Sequence, residues 1–126
     1  MYKMNPTNVI DAAGRFMRDM YVPGSLQCIS FGSKKILSTG KGGMILTDDK
    51  HANDWLKKVR FAGRPGPFYN QMNDVDVLGY HMQMIPEQAS RGIEAFHGLR
   101  HPCDDKCRSE TYMDISGFSV FSDYIL

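Results

Sequence analysis

The chain has 126 residues, of which 42% are hydrophobic, 23% charged and 11% aromatic. This composition excludes a mostly disordered or collagen-like chain, and the length allows one domain at most. Fifteen Lys and Arg against fourteen Asp and Glu leave a formal charge of +1, which gives no argument for nucleic acid or an anionic membrane as a partner. The charge is uneven: residues 1–60 hold ten bases and five acids, residues 61–126 five bases and nine acids. A basic half suits an anionic ligand, although a solvated surface is the commoner explanation. No run approaches the roughly 18 apolar residues of a membrane span, and Met1 to Asp11 lacks the apolar core of a signal peptide. The only Asn-x-Thr triplet, Asn5-Pro6-Thr7, carries the proline that forbids glycosylation. Three cysteines, Cys28, Cys103 and Cys107, are too few and too odd for a disulfide framework. A cytoplasmic, reducing location is expected.

In chain order, Asn8-Val9-Ile10 reads as a strand end running into Asp11, and Tyr21 to Ser25 as a turn around Pro23-Gly24. Leu26 to Phe31 is a short apolar run consistent with a buried strand, and Gly43 to Thr47 is a second. The eleven residues between them hold three glycines and three lysines, which predicts a loop. Asp48-Asp49 opens a helix, with an aspartate offering its carboxylate to the first free N–H groups. Ala52, Trp55, Leu56 and Val59 follow at helical spacing, and Lys57, Lys58 and Arg60 suit the negative end of the helix dipole. Gly63 to Pro67 ends this helix and starts an irregular stretch lasting to about Ile85. Pro86 starts a second helix over 86–99, with Ala89, Ile93 and Phe96 on one face and His101-Pro102 as its stop. The segment from Cys103 to Leu126 turns from polar to aromatic and allows a late strand. Strand, loop, strand, helix, irregular segment, helix is an α/β pattern with too few strands for a complete doubly wound sheet.

Two motifs in the glycine and lysine loop bear on chemistry. A nucleotide P-loop needs a glycine five residues before Gly40 and a hydroxyl after Lys41, but those positions are Lys35 and Gly42. The motif fails at both. A lysine that forms a Schiff base with a carbonyl compound needs a fixed position and a neutral amine. Lys35 follows the apolar run that ends at Phe31, Lys34 places a like charge beside it, and Asp11 ends a strand that would share the sheet. A lysine for an aldehyde, an acid for a ring nitrogen and hydroxyls for a phosphate are the parts that pyridoxal phosphate (PLP) requires. On composition alone, two solvated lysines beside a structural aspartate are the better explanation of the pattern.

The segment from Ser30 to Asp49, with Ser30-Phe31, Lys35, Thr39-Gly40-Lys41-Gly42-Gly43 and Met44-Ile45-Leu46-Thr47-Asp48, resembles the signature of the DegT/DnrJ/StrS sugar aminotransferases. Val9-Ile10-Asp11-Ala12-Ala13 resembles that family's upstream acidic segment. Leu78-Gly79-Tyr80-His81-Met82-Gln83-Met84 and Glu87-Gln88-Ala89 resemble its downstream one. The four segments keep their order over about residues 8–99. The resemblance implies part of the large domain of a fold-type I PLP-dependent enzyme over residues 1–99, with 100–126 an unassigned tail. It implies Lys35 as the Schiff-base lysine, Asp11 as the partner of the pyridine nitrogen and Ser30 as a donor to the cofactor phosphate. It further implies a homodimer in the full-length family, and transfer of an amino group, commonly from glutamate, to a nucleotide-linked keto-sugar in polysaccharide or deoxysugar synthesis. The alternative is a non-catalytic remnant that binds no cofactor.

The sequence departs from the family pattern at Gly14, Gly32, Lys41, His81 and Gln83, and these positions bear on substrate choice more than on the cofactor. The family's N-terminal half, with its phosphate turn and the aromatic residue that stacks on the ring, has no counterpart here. His97, His101, Cys103 and Cys107 fall within eleven residues, but their spacing is not that of a zinc finger. A helix end running into a polar tail accounts for them, and no metal is expected.

Overall fold

The computed structural model describes residues 1–65, 75–99 and 118–119. Four strands, β1 (Tyr2–Lys3), β2 (Val9–Asp11), β3 (Leu26–Ser30) and β4 (Gly43–Leu46), form one sheet in sequence order. Two helices follow, α1 (Lys50–Val59) and α2 (Pro86–Gly98). The sheet is mixed: β2 and β3 are parallel, whereas β1 and β4 each join antiparallel to their neighbour. This is a small part of an α/β architecture. The strand β1 has no hydropathy signal of its own; it exists because Tyr2 and Lys3 pair with Asp11 and Ile10. A parallel pair needs a crossover connection, usually helical. Here residues 12–25 make that crossover without a helix.

The crossover ends in the turn expected at Pro23-Gly24, where Gly24 takes a left-handed φ of 75°. The turn is latched to the far end of β4. The Gly24 N–H donates to both Asp48 carboxylate oxygens at 3.2 and 3.1 Å, and the Asp48 N–H donates to the Tyr21 hydroxyl at 2.9 Å. The Gly24 N–H above all, and then the Tyr21 hydroxyl beside the carboxylate, hold the Asp48 carboxyl below its ordinary range. Asp49, not Asp48, is the N-cap of α1, accepting from the N–H groups of His51 and Ala52. Of the apolar residues expected to bury one face of α1, only Val59 is buried, and Trp55 is 53% exposed.

After α1 the chain turns back through Ala62 and Gly63, both in the left-handed region, and residues 75–85 lie as an extended strap along the helix end. Tyr80 N–H donates to Val59 O, Ala62 N–H to Tyr80 O and Met82 N–H to Arg60 O, and Lys58 pairs with Asp76 at 2.7 Å. The crossing admits no side chain, because a Cβ on Gly79 would run into the backbone of Ala62 and Gly63. The expected stop at His101-Pro102 and the late strand lie outside the described residues.

Along β3, buried and half-buried residues alternate, as a sheet with two different faces requires. Ile29 and Phe31 on one face join Leu37 in the core, with Phe16, Met20, Leu46, Met84, Ala95 and Leu99 packed against them. Gln27, fully buried on the same face, donates to Met20 O at 3.1 Å and accepts from Val22 N–H at 3.1 Å. The crossover thereby satisfies a polar group that would otherwise cost stability. The helix α2 covers this face loosely. None of its residues is buried, and Ile93 and Phe96 are 59% and 50% exposed. A cavity of about 680 Å³ lies between helix and sheet, lined among others by Ile29, Phe31, Met44, Met84 and Phe96.

Candidate functional site

Two of the three residues singled out by the sequence, Asp11 and Ser30, stand on the other face of the sheet. Asp11 is the parallel-strand partner of Cys28, and Ser30 stands two residues further along β3. Paired residues point to the same side and alternate residues share a side, so Asp11, Cys28 and Ser30 form one outward row. Asp11 is exposed, and its Oδ1 accepts from the Ala13 N–H at 2.8 Å, which fixes the carboxylate at the end of β2. Cys28 and Ser30 are half-buried. On β4 the row continues through Ile45 beside Cys28 and Gly43 beside Ser30.

Lys35 follows β3 through a tight turn. Its N–H donates to Gly32 O at 3.0 Å, folding the chain back immediately after β3. The gap above Gly32 locates the side chains. A Cβ built there would sit 3.5 Å from Ser30 Oγ and 3.9 Å from Lys35 Cγ. Ser30 and the Lys35 stem thus flank one open spot that Gly32 leaves empty. Lys34 is exposed, whereas Lys35 is half-buried. The glycine turn closes against the same segment: Gly42 O accepts from Phe31 N–H, Thr39 N–H donates to Phe31 O, and Gly32 bridges to Gly40. Gly40 and Gly42 have φ of 83° and 110°, so both exploit a freedom that side chains would oppose. Lys41 between them is exposed.

Other candidate residues lie elsewhere. His81 and Gln83 are exposed on the strap, where His81 bridges to Phe61 rather than to the strand row. His97 lines the cavity on the core face, away from Lys35. His101, Cys103 and Cys107 lie outside the described residues. Among the described residues, no group of three or more His, Cys, Asp or Glu side chains is placed to hold a metal ion, and no helix is long and apolar enough to cross a membrane. Cys28 stands directly beside Asp11, a pairing that only the register of β2 against β3 reveals.

Asp11 and Ser30 thus share one face of the sheet, and the stem of Lys35 lies near Ser30 beside Gly32. The chain is 31% identical over 94 residues to the spore coat polysaccharide biosynthesis protein SpsC of Bacillus subtilis (strain 168). That match covers 69% of this chain but 23% of SpsC, so the chain spans about a quarter of the length of its relative. No solved structure matches it significantly. The model of the DegT/DnrJ/EryC1/StrS aminotransferase family matches residues 16–114, taking in Ser30, Lys35, the glycine turn and both helices, but beginning after Asp11. A match over that much of the sequence means that the chain belongs to the DegT/DnrJ/EryC1/StrS aminotransferase family.

Proposed function

We propose that this chain carries the cofactor floor of a PLP-dependent sugar aminotransferase, the large-domain segment of a fold-type I enzyme. The observation that carries the reading is the common face of Asp11 and Ser30, with the stem of Lys35 beside Ser30 across the Gly32 gap. The residue types are those the cofactor needs, a carboxylate, a hydroxyl and a lysine whose Cγ lies 3.9 Å from the place a Cβ on Gly32 would take. PLP, when bound, supplies an aldehyde for attachment and a ring that draws electrons from the reacting carbon.

Each side chain then has a defined task. Lys35 Nζ would hold the cofactor covalently and, when free, would carry a proton between the substrate carbon and the cofactor's aldehyde-derived carbon. Asp11 keeps the ring nitrogen protonated through a charge-assisted hydrogen bond. Ser30 Oγ donates to the phosphate. The turn at Gly40–Gly43 keeps side chains away from the face. The reaction that follows is transfer of an amino group, with glutamate as donor, to a nucleotide-linked keto-sugar for polysaccharide synthesis. The family match and the likeness to SpsC, a spore coat polysaccharide biosynthesis protein, support this reading. A cytoplasmic homodimer is the assembly that goes with it.

The test is to mix the purified chain with PLP, reduce with borohydride and map the modified residue by mass spectrometry. A stoichiometric adduct at Lys35, with Lys34 unmodified and loss in Lys35→Ala, is the expected result. Labelling scattered over several lysines, or none, makes this chain a remnant that binds no cofactor.

A further inference from the structure

We infer that Thr39 is a positioning residue for Lys35, a clasp that closes the loop carrying the lysine and ties it to α2; what that position does for chemistry rests on the function proposed above. The loop runs over residues 32–38, between two residues whose backbones meet. Thr39 N–H donates to Phe31 O at 3.0 Å, and Phe31 N–H donates to Gly42 O at 2.9 Å. Lys35 sits in the middle of the loop, its N–H bonded to Gly32 O at 3.0 Å. Thr39 is 4% exposed, and its hydroxyl donates to Lys41 O at 2.6 Å, one residue before the carbonyl that Phe31 uses. That bond holds the glycine turn in the shape that accepts the Phe31 N–H. A loop open at its neck would give the amine many positions, whereas attack on a carbonyl carbon needs one.

Two contacts from later in the chain press on the same turn. Gly92 stands in the middle of α2, where glycine is unfavourable. A Cβ there would lie 3.2 Å from Thr39 Cγ2, so the missing side chain lets the helix settle onto the clasp. Met84, near the end of the strap, holds its Cε 2.9 Å from the place a Cβ on Gly42 would take. Thr39 therefore has a hydroxyl that shapes the turn and a methyl that meets the helix. Valine would keep the methyl and lose the bond; serine would keep the bond and lose the methyl.

The experiment uses the full chain, first without PLP. Amide hydrogen exchange is followed by NMR at Phe31 and Thr39, with Leu26, bonded to Asn8 O, as the internal reference. Thr39→Val should speed exchange at both amides about fivefold relative to Leu26, whereas Thr39→Ser should stay within about twofold of the unsubstituted chain. If Thr39→Val fails to fold, Gly92→Ala reads the same contact from the helix side, and adding Thr39→Ser to it should restore slow exchange. The chains are then labelled with PLP and borohydride. The ratio of adduct at Lys35 to adduct at Lys34 should fall about fivefold or more in Thr39→Val and recover in Thr39→Ser. Ile10→Ala, which weakens the core from β2, should leave that ratio unchanged, because lost stability alone does not move it. Unchanged exchange overturns the inference, and so does faster exchange with an unchanged ratio. Absence of the Lys35 adduct in the unsubstituted chain overturns the proposed function instead, and the exchange rates then decide the clasp by themselves.

Discussion

The two faces of the sheet are made by alternate residues of the same strands, and they solve opposite problems. The inner face must bury apolar bulk, so Ile10, Ile29 and Phe31 are buried there and even Gln27 is tied off by hydrogen bonds. The outer face presents Asp11, Cys28 and Ser30 beside two positions, Gly32 and Gly43, that have no side chain at all. The inner face is generous and loosely covered; α2 leaves a cavity of about 680 Å³ against it. The outer face is sparse and fixed by register. A protein can therefore hold a site in position with a core that is far from optimally packed, because backbone pairing, not side-chain bulk, sets where the site residues stand.

Gly43→Val should break this division most severely, since its Cβ would strike the carbonyl of Ile29 and part β3 from β4. A loss of about 3 kcal/mol or more is expected, enough to abolish a cooperative urea transition and the Lys35 adduct together. Ile29→Ala attacks the inner face alone. It should cost about 2 kcal/mol, at the low end for such a truncation because the residue already borders a cavity, while PLP still labels Lys35 in the fraction that remains folded. Gly98→Ala tests how loosely α2 is held. A Cβ there meets nothing within 4 Å, so improved helix propensity should raise stability by about 0.5 kcal/mol in the same urea experiment.

The smallest effect should come from the outer face. Asp11→Asn keeps an oxygen for the Ala13 N–H and should change stability by less than about 0.5 kcal/mol. It removes one of the two influences that raise the Cys28 thiol, so the pH profile of Cys28 alkylation should move to lower pH. A profile that does not move would show that Asp11 and Cys28 are not neighbours on this face.

Much of this arrangement was legible in the sequence, and the limits have physical causes. The strands β3 and β4 and both helices announced themselves through apolar runs bounded by glycine, proline and a capping aspartate. The strand β1 did not, because two residues carry no periodicity and are recruited by pairing alone. The burial of Gln27 runs against its polarity and depends on carbonyl and N–H groups supplied by the crossover. The expected apolar face of α1 was legible as spacing but not as burial, since Trp55 is exposed among the described residues. Lys35, Asp11 and Ser30 could be named from resemblance. That Asp11 and Ser30 share a face with Cys28 could not, because one sequence does not state how two of its strands are aligned.

That alignment has a consequence for how such a segment tolerates change in length. Side chains alternate with a period of two, so the assignment of residues to faces is a matter of odd and even count. Removing one residue near the start of β3 would exchange the roles of those after it, carrying Cys28 and Ser30 toward the core and Ile29 outward. Removing two would shorten the strand and leave the division between faces intact. The site is in this sense written in parity: its composition can drift residue by residue, but its strands can gain or lose residues only in pairs.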